Sequence, residues 1–270
     1  MSSSINIIFI GDIVGSLGRQ AIAELLPKLR SKHKADLVIA NGENVAHGKG
    51  ITALTAQFLL DNGVDYITTG DHCFDQSPSI EACFNGNLPI LRPQNYTDEA
   101  PGYGYTIIKI KDKEILLINL IGRSFMPKHH NCPFKAVDSI LGSFTEKRFS
   151  AIIIDIHAET TAEKIALRHY LDGRISALLG THTHVPTADS MITAKGTGYI
   201  TDVGMTGDAD GVIGVTALPI ISSLITQTKI PHELRKSGRS QLCAVHLVID
   251  AKNGHCLEIN PIQKTINIGS

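Results

Sequence analysis

The sequence contains no tryptophan, no paired cysteines and no long apolar run. Its five cysteines are odd in number and none forms a Cys-x-x-Cys pair, so we expect no disulfides and a reducing compartment. No apolar run approaches the roughly 20 residues that cross a bilayer. The first residues have neither the basic region nor the apolar core of a signal peptide. These absences predict a cytoplasmic protein.

Charge of one sign is also missing, because the net charge is only −1. The sequence therefore gives no electrostatic reason to expect binding to long nucleic acid or to an anionic membrane. The 270 residues, 43% of them hydrophobic, suffice for a substantial core. We expect a single domain over residues 1–270, with a hairpin and loop insertion near 93–134. Composition leaves open whether the chain forms a homo-oligomer.

Two histidines follow the apolar segment 175–179, which we interpret as a buried strand. The strand ends at Gly180, and His182 and His184 occupy alternate positions after it. Alternate residues of an extended chain point to the same side, so both imidazoles can face one space. This arrangement favours metal ligation, although two loop histidines with solvent partners would give the same pattern.

The first 91 residues alternate between apolar strands and helices. We expect a helix after the first strand with Ser16 as its N-cap, a second helix starting near Thr52, and a third over 75–84. A β-α-β-α order predicts parallel strands joined by helical crossovers. The predicted strands are residues 5–10, 36–40, 64–69 and 89–91.

The pattern changes after residue 100. A hairpin is predicted over 103–110 and 114–121, followed by a loop over 122–133 and then by strands at 151–156 and 198–203. Helices are predicted over 135–147, from Thr160 or Thr161 to 171, and mainly over 212–228, whose apolar face we assign to the core. Segments 241–250 and 256–268 should pair as antiparallel strands. Two α/β halves flanking a hairpin predict two sheets with helices outside.

Polar side chains that can bind metals or move protons follow several of these strands. Carboxyl ends of strands in open α/β sheets are where such folds build their sites. Oxygen and imidazole ligands without thiolate suit Mn, Fe, Zn or Ni. Their number exceeds what one ion requires, so we expect two ions that share a bridging carboxylate. The residues are Asp12, Glu43, Asn44, Asp71, His72, His157, His182 and His184.

A charge count also favours two ions. Asp12, Glu43 and Asp71 carry −3 when ionised. Two divalent ions would leave about +1 to attract a phosphate ester, whereas one ion would leave about −1. His72 directly follows a proposed ligand and could donate a proton to the leaving oxygen.

These motifs resemble the calcineurin-like metallophosphoesterases, and more narrowly the YmdB-like bacterial branch. The resemblance covers essentially the whole chain and includes the run Gly-Thr-His-Thr-His-Val-Pro-Thr-Ala-Asp at 180–189. It implies an α/β fold, a four-layer αββα sandwich of two mixed sheets flanked by helices. The other matching segments are Gly11-Asp12, Gly42-Glu43-Asn44, Gly70-Asp71-His72, Gly122-Arg123 and residues 201–205.

The resemblance also implies a dinuclear centre of Fe, Mn or Zn ions. One ion would take Asp12, Glu43, Asn44 and His184, and the other would take Glu43, Asp71, His157 and His182, with Glu43 bridging. The implied activity is phosphodiester hydrolysis, with 2′,3′-cyclic nucleotides as the substrate class. A hydroxide bridging the metals would attack phosphorus while His72 assists the leaving group.

Arg123 can be interpreted as a phosphate clamp or as a surface charge, and we favour the clamp. One position departs from the family pattern, which has asparagine where this chain has Asp71. The extra negative charge motivates an alternative function, a non-catalytic or weakly catalytic regulatory protein that senses a nucleotide at the same metal site.

Other interpretations fit the residues less well. Metallo-β-lactamases have an aspartate shortly after the His-x-His pair, whereas Val-Pro-Thr follows it here. His129, His130 and Cys132 could form a zinc site, but their spacing favours a solvated loop. His157 could be a core histidine, and Cys73 a nucleophile, although no orienting group for Cys73 is evident.

Overall fold

Thirteen strands and six α-helices occupy residues 4–85 and 88–269, the part of the chain that the computed structural model describes. The helices are α1 (Gly15–His33), α2 (Ala53–Asp61), α3 (Ile80–Phe84), α4 (Pro133–Gly142), α5 (Thr161–Leu171) and α6 (Ala217–Thr226). The strands are β1 (Ser4–Ile10), β2 (Leu37–Asn41), β3 (Tyr66–Thr68), β4 (Ile90–Leu91), β5 (Tyr105–Ile110), β6 (Lys113–Ile121), β7 (Ala151–His157), β8 (Ala177–Thr181), β9 (Met191–Ile192), β10 (Gly198–Ile200), β11 (Gly207–Asp208), β12 (Gly238–Asp250) and β13 (Cys256–Ile268).

The strands form two mixed sheets. The first has the order β11-β12-β1-β2-β3-β4, with β13 also paired to β12. Strands β1 to β4 are parallel, whereas β12 is antiparallel to β1. The second sheet has the order β5-β6-β7-β8-β10-β9, in which β6, β7, β8 and β10 are parallel. The predicted hairpin is confirmed as β5 and β6 and forms one edge of this second sheet.

Alternating side chains along the strands separate the core into layers. In β1, Ile8 and Ile10 pack with α1 and α2, whereas Ile7 and Phe9 pack between the sheets against residues such as Leu117. Strand residues point alternately to opposite faces, so a fully apolar strand can serve both layers. Residues of the second sheet pack on their outer side against α4 and α5. The four-layer αββα sandwich with two mixed sheets is therefore confirmed.

Several element boundaries differ from the prediction. Ser16 does not cap α1, because the helix begins at Gly15 after Val14, and no side chain caps it. The predicted helix at 75–84 is a single turn of 3₁₀ helix, Ser77–Ser79, followed by the short α3. Thr52 does cap α2, where it forms a capping box with Thr55. The two-residue strands β9 and β11 were not predicted. No described segment tests the single-domain boundaries, which stay a prediction.

The prediction of a mainly helical segment at 212–228 is confirmed, but the assignment of its apolar face to the core is wrong. The helix begins only at Ala217, and none of its residues is buried. Leu218, Leu224 and Ile225 are each about three-quarters exposed, at 74%, 75% and 76%. An apolar helix sequence predicts burial from its composition alone, but burial also needs a neighbouring face, and none covers this helix among the described residues. In the same part of the chain, no helix is both long and apolar enough to cross a membrane.

A buried ion pair fixes the segment that follows β8. Lys164, on α5, is fully buried and donates to the carbonyl of Thr181 at 2.8 Å and to the carboxylate of Asp202 at 2.9 Å. The same carboxylate accepts hydrogen bonds from the backbone and hydroxyl of Thr183. The pair therefore anchors the Thr-His-Thr-His segment to a helix and to the chain after β10.

Replacing Lys164 with methionine should destabilise the protein by about 3–5 kcal/mol, because the Asp202 carboxylate would remain buried without its cation. Urea denaturation of the metal-free protein measures this change. The exposed Lys28 of α1 offers a control, and Lys28→Met should alter the free energy of unfolding by less than about 0.5 kcal/mol. Equal stability of the two variants would contradict the assigned role of Lys164.

Candidate metal centre

The predicted ligands come together where the carboxyl ends of the parallel strands of the two sheets lie side by side. Asp12 follows β1, Glu43 follows β2 and Asp71 follows β3 in the first sheet. His157 ends β7, and His182 directly follows β8 in the second sheet. Parallel strands end at the same edge of a sheet, so residues far apart in sequence share one space.

Four of these side chains form a tight group. One ligand atom from each of Glu43, Asp71, His157 and His182 lies within 4.8 Å of the others. Nε2 of His157 lies 3.1 Å from Oε1 of Glu43 and 3.2 Å from Oδ1 of Asp71. Nδ1 of His182 lies 3.0 Å from Nε2 of His157 and 3.4 Å from Oδ1 of Asp71. The group has the composition of the second predicted ligand set.

The remaining predicted ligands lie beside this group. Nε2 of His184 is 3.2 Å from Oδ1 of Asn44 and 4.0 Å from Oδ1 of Asp12. Oδ1 of Asp12 is also 3.7 Å from Nδ1 of His157. Asp12, Asn44 and His184 therefore stand next to the four-residue group, and together the seven side chains surround one buried space.

The donor set fits a bound cation. Asp12, Glu43 and Asp71 are 0%, 1% and 4% exposed, and Oδ1 of Asp12 has no hydrogen-bond partner. A buried carboxylate oxygen without a partner is costly unless an ion or proton satisfies it. At Gly70, a Cβ atom would lie 2.0 Å from Oε2 of Glu43 and 2.4 Å from Nε2 of His157. Glycine is therefore required at Gly70 for these ligands to converge.

Nδ1 of His157, the second ring nitrogen, is hydrogen-bonded to Thr181. Nδ1 lies 2.9 Å from Oγ1 of Thr181, whose hydroxyl donates to Oδ1 of Asp155 at 2.7 Å. Because that hydroxyl donates to the carboxylate, its oxygen accepts from Nδ1–H, which leaves Nε2 free to bind a metal. Asp155 also accepts from Asn41 and Thr68 of the first sheet. This polar network joins the two sheets directly beneath the centre.

The other two histidines have comparable partners. Nε2 of His182 lies 3.0 Å from Oε2 of Glu159, which leaves Nδ1 facing the group. Nδ1 of His184 donates to the backbone carbonyl of Ile213 at 2.9 Å, which leaves Nε2 facing Asn44 and Asp12. Each of the three imidazoles therefore turns one nitrogen inward and satisfies the other outside.

Backbone strain is concentrated at the same residues. His182, His184 and Ile213 have φ angles of 98°, 65° and 45°, a region that non-glycine residues rarely adopt. Such conformations cost about 1–3 kcal/mol each and persist when surrounding contacts enforce them. Here the anchoring of Thr183 by Asp202 and the hydrogen bond between His184 and Ile213 supply those contacts.

Burial and mutual repulsion perturb the acids. Burial raises the pKa of Glu43 to about 7; His157 opposes this shift, and the charges of Asp71 and Asp12 reinforce it. Burial alone would raise the pKa of Asp71, but hydrogen bonds from His157 and His182 outweigh it and hold that pKa well below its usual range. Burial alone would lower the pKa of His157, yet Glu43 and Asp71 raise it well above the ordinary value. Without metal, the group formed by the three carboxylates and His157 therefore retains a proton.

His72 borders the centre without joining it. Its Nδ1 lies 2.7 Å from Oδ2 of Asp75, and its Nε2 lies 3.7 Å from Oδ2 of Asp71. The side chain is 26% exposed and lines a cleft of about 380 Å³ together with Glu43, Asn44, His182 and His184. Because Asp75 engages Nδ1, the imidazole can present Nε2 to a molecule in the cleft.

Arg123 does not line this cleft. Its side chain borders two neighbouring cavities that it shares with His130, and its backbone N–H donates to Glu163. Lys49 is the cationic side chain that borders the cleft, and within residues 4–85 and 88–269 its ammonium pairs with no carboxylate. The phosphate-clamp role of Arg123 stays a prediction.

The remaining alternatives find no support in the geometry. Within the described ranges, the one group of metal-ligating side chains with converging atoms excludes His129, His130 and Cys132. His130 is instead buried against Tyr96, with ring centroids 4.6 Å apart. Burial raises the pKa of the Cys73 thiol to about 12, which disfavours the thiolate that a nucleophile requires.

Sequence reasoning missed the residues that support the ligands from outside. Asp155 is a carboxylate inside an apolar strand, and this unusual placement could have identified it. Lys164 gave no such signal, because a lysine on a helix is normally solvated, whereas Asp202 lies in the matching segment 201–205 but was assigned no role. The carbonyl of Ile213 could not have been found from side-chain patterns.

The chain is similar to known proteins over most of its length. The family described as YmdB-like protein matches residues 8–262. The chain is 43% identical over 257 residues to the 2′,3′-cyclic-nucleotide 2′-phosphodiesterase of Bacillus subtilis strain 168, which covers 95% of this chain and 96% of that protein.

Two crystal structures are similar over nearly the whole chain. A novel phosphatase from Mycoplasma pneumoniae has a TM-score of 0.92 and 35% identity, covering 99% of this chain and 96% of the other. A hypothetical protein from Thermus thermophilus has a TM-score of 0.89 and 37% identity, covering 97% of this chain and 99% of the other. The family assignment and the fold therefore rest on more than motif matching.

Thr181→Val should weaken metal binding by about 10- to 100-fold, because His157 would lose the acceptor that fixes its tautomer. Thr181→Ser keeps the hydroxyl and provides the matched control. Competition with a coloured chelator measures both affinities. Full metal affinity in Thr181→Val would contradict the role of the hydroxyl, and weakening by serine alone would assign the effect to the methyl group.

Metal binding at pH 7 should release protons, because Glu43 has a pKa near 7 and His157 a raised pKa in the metal-free protein. Metal affinity should therefore increase with pH through neutrality. Calorimetric titrations in two buffers with different ionisation enthalpies measure the released protons. Heats that are identical in both buffers would contradict this electrostatic description.

Proposed function

We propose that this chain, which belongs to the family of YmdB-like proteins, is a two-metal phosphodiesterase. Small phosphodiesters, with 2′,3′-cyclic nucleotides foremost, are the proposed substrates. The observation that carries the proposal is the convergence of three buried carboxylates, three imidazoles and one amide at the mouth of a cleft. The B. subtilis relative, named for hydrolysis of such nucleotides, supports the substrate class.

The proposed ligands divide into two sets that share Glu43. Asp12, Asn44 and His184 would hold one ion with Glu43, and Asp71, His157 and His182 would hold the other. Oxygen and nitrogen donors without thiolate favour Fe, Mn or Zn. When bound, the two ions supply Lewis acidity and an activated water for attack on phosphorus. All other parts of the mechanism are assigned to side chains of the protein.

His72 is the proposed general acid. Asp75 lies 2.7 Å from Nδ1, where it would accept a hydrogen bond and orient the ring. Nε2 would then donate its proton to the alkoxide oxygen that leaves phosphorus. Burial of the ligands excludes water from behind the centre, so the substrate approaches from the cleft side.

Lys49 is proposed to attract the phosphate, because this exposed, positively charged residue lines the cleft. Arg123 remains a proposed second phosphate contact for a substrate large enough to reach the adjoining cavity. Both assignments rest on charge complementarity with an anionic diester.

The regulatory alternative rests on Asp71, whose carboxylate leaves the centre with less positive charge than an asparagine would. A nucleotide sensor would bind cyclic nucleotides tightly with its metals in place and turn over none of them. Steady-state turnover of 2′,3′-cyclic AMP by metal-loaded protein distinguishes the two functions.

His72→Ala should lower kcat for 2′,3′-cyclic AMP by about 100-fold or more, because the leaving oxygen would depart without a proton donor. Both metals should remain bound, as elemental analysis of the purified variant would measure. The control is His129→Ala, since His129 is exposed and lies outside the cleft lining. An unchanged kcat in the His72 variant would remove this residue from the mechanism.

A further inference from the structure

The cleft beside the metal centre has two chemically different sides. One part of its lining is polar and includes His72 and four of the predicted ligands, Glu43, Asn44, His182 and His184. The other is apolar apart from one imidazole and consists of Val14, Val212, Ile213, Val215, Ile220 and His232. A phosphodiester alone would need only the first side, so the second side requires its own explanation.

Val14 and Val215 of the apolar side are buried, but the rest of its apolar side chains are not. Residues 211–228 contain no charged side chain, yet α6 has no buried residue. Ile220 borders the cleft, whereas its neighbour Ile221 is 46% exposed and does not. The apolar composition of this segment is therefore not explained by packing within the chain.

Ile213 also occupies an unfavourable backbone position. Val212 and Val215 exchange hydrogen bonds of 2.8 and 3.1 Å around the two-residue turn Ile213-Gly214. Both turn residues have positive φ, at 45° and 93°, a conformation for which Asn-Gly is the preferred pair. A β-branched side chain there is an outlier, and it is 53% exposed. Neither turn geometry nor burial favours isoleucine at Ile213, which indicates a functional reason.

We propose that this apolar side binds the nucleobase of the substrate. The inference rests on the proposed function and specifies how the same cleft would hold a nucleotide. With the phosphate at the metal centre, the flat apolar face of the base lies against Ile213 and Ile220. The volume of about 380 Å³ is within the range of small-molecule sites. Ile213 then has two roles, because its carbonyl orients His184 and its side chain contacts the base.

The proposal predicts selectivity for nucleotides over base-free diesters. Contact between apolar surfaces gives affinity without reading hydrogen-bond edges, so purine and pyrimidine nucleotides should both bind. Glycerol 1,2-cyclic phosphate has the same cyclic diester without a base, and it provides the comparison substrate.

The first test compares two adjacent isoleucines of α6. Ile220→Ala should lower the ratio of kcat/KM for 2′,3′-cyclic AMP to kcat/KM for glycerol 1,2-cyclic phosphate by about tenfold. Ile221→Ala removes the same atoms from the same helix outside the cleft and should leave the ratio within about twofold. A ratio that is unchanged in Ile220→Ala, or equally lowered in both variants, overturns the proposal.

The second test uses the strained turn. Ile213→Asn suits positive φ and keeps the backbone carbonyl, so the melting temperature should rise by about 2–4 °C. The substrate ratio should fall by about tenfold in the same variant. A more stable protein with an unchanged ratio overturns the proposal, because strain would then serve the carbonyl of Ile213 alone.

A measurement without substrate turnover separates this proposal from the proposed function. Adenosine has the base and ribose but no phosphate. Its affinity for the metal-loaded wild-type protein, measured by calorimetry, should be about tenfold higher than its affinity for metal-loaded Ile220→Ala. If neither cyclic diester is hydrolysed but adenosine binds in this way, the phosphodiesterase assignment fails and the base site stands. If both diesters are hydrolysed but adenosine does not bind, the phosphodiesterase assignment stands and the base site is overturned.

Discussion

Three carboxylates buried in one space impose the main constraint on this protein. Asp12, Glu43 and Asp71 are almost inaccessible to solvent, and each would repel the others if ionised without compensation. Burial raises the pKa of Glu43 to about 7, which expresses this conflict in the absence of an ion. Cations resolve it most completely, and the three imidazoles complete a donor set for them. The concentration of charge therefore makes this group of side chains a candidate metal centre.

Holding such a centre requires a rigid support on both sides. The network from Asp155 through Thr181 to His157 ties the two sheets together beneath it. The buried pair of Lys164 and Asp202 fixes the segment that carries the other two histidines. These contacts place polar groups inside an otherwise apolar sandwich, where each must be fully hydrogen-bonded to avoid a desolvation penalty. The supporting residues therefore need hydrogen-bond partners placed as accurately as the candidate ligands.

Among the residues that the structure describes, the apolar side of the cleft contains no metal-ligating carboxylate and has a different chemical character. There Ile220 of α6 lines the cleft without being buried, and Ile213 has a backbone conformation suited to asparagine or glycine. Strain at Ile213 and the incomplete burial of Ile220 are both explained if a ligand covers these two side chains. The ions would then bind the phosphate of a nucleotide, and the apolar side would bind its base.

The sequence by itself predicted two sheets with helices outside and the candidate ligands, because strand periodicity and strand-end polar residues depend on local order along the chain. It misplaced the N-cap at Ser16 and assigned residues 212–228 to the core, since composition cannot tell whether another face will cover a helix. Only the tertiary structure decided which imidazole nitrogen turns inward, how Thr181 and Lys164 hold the centre, and that Arg123 lies beside another cavity. These features depend on contacts between residues distant in sequence, and no local pattern encodes such distances.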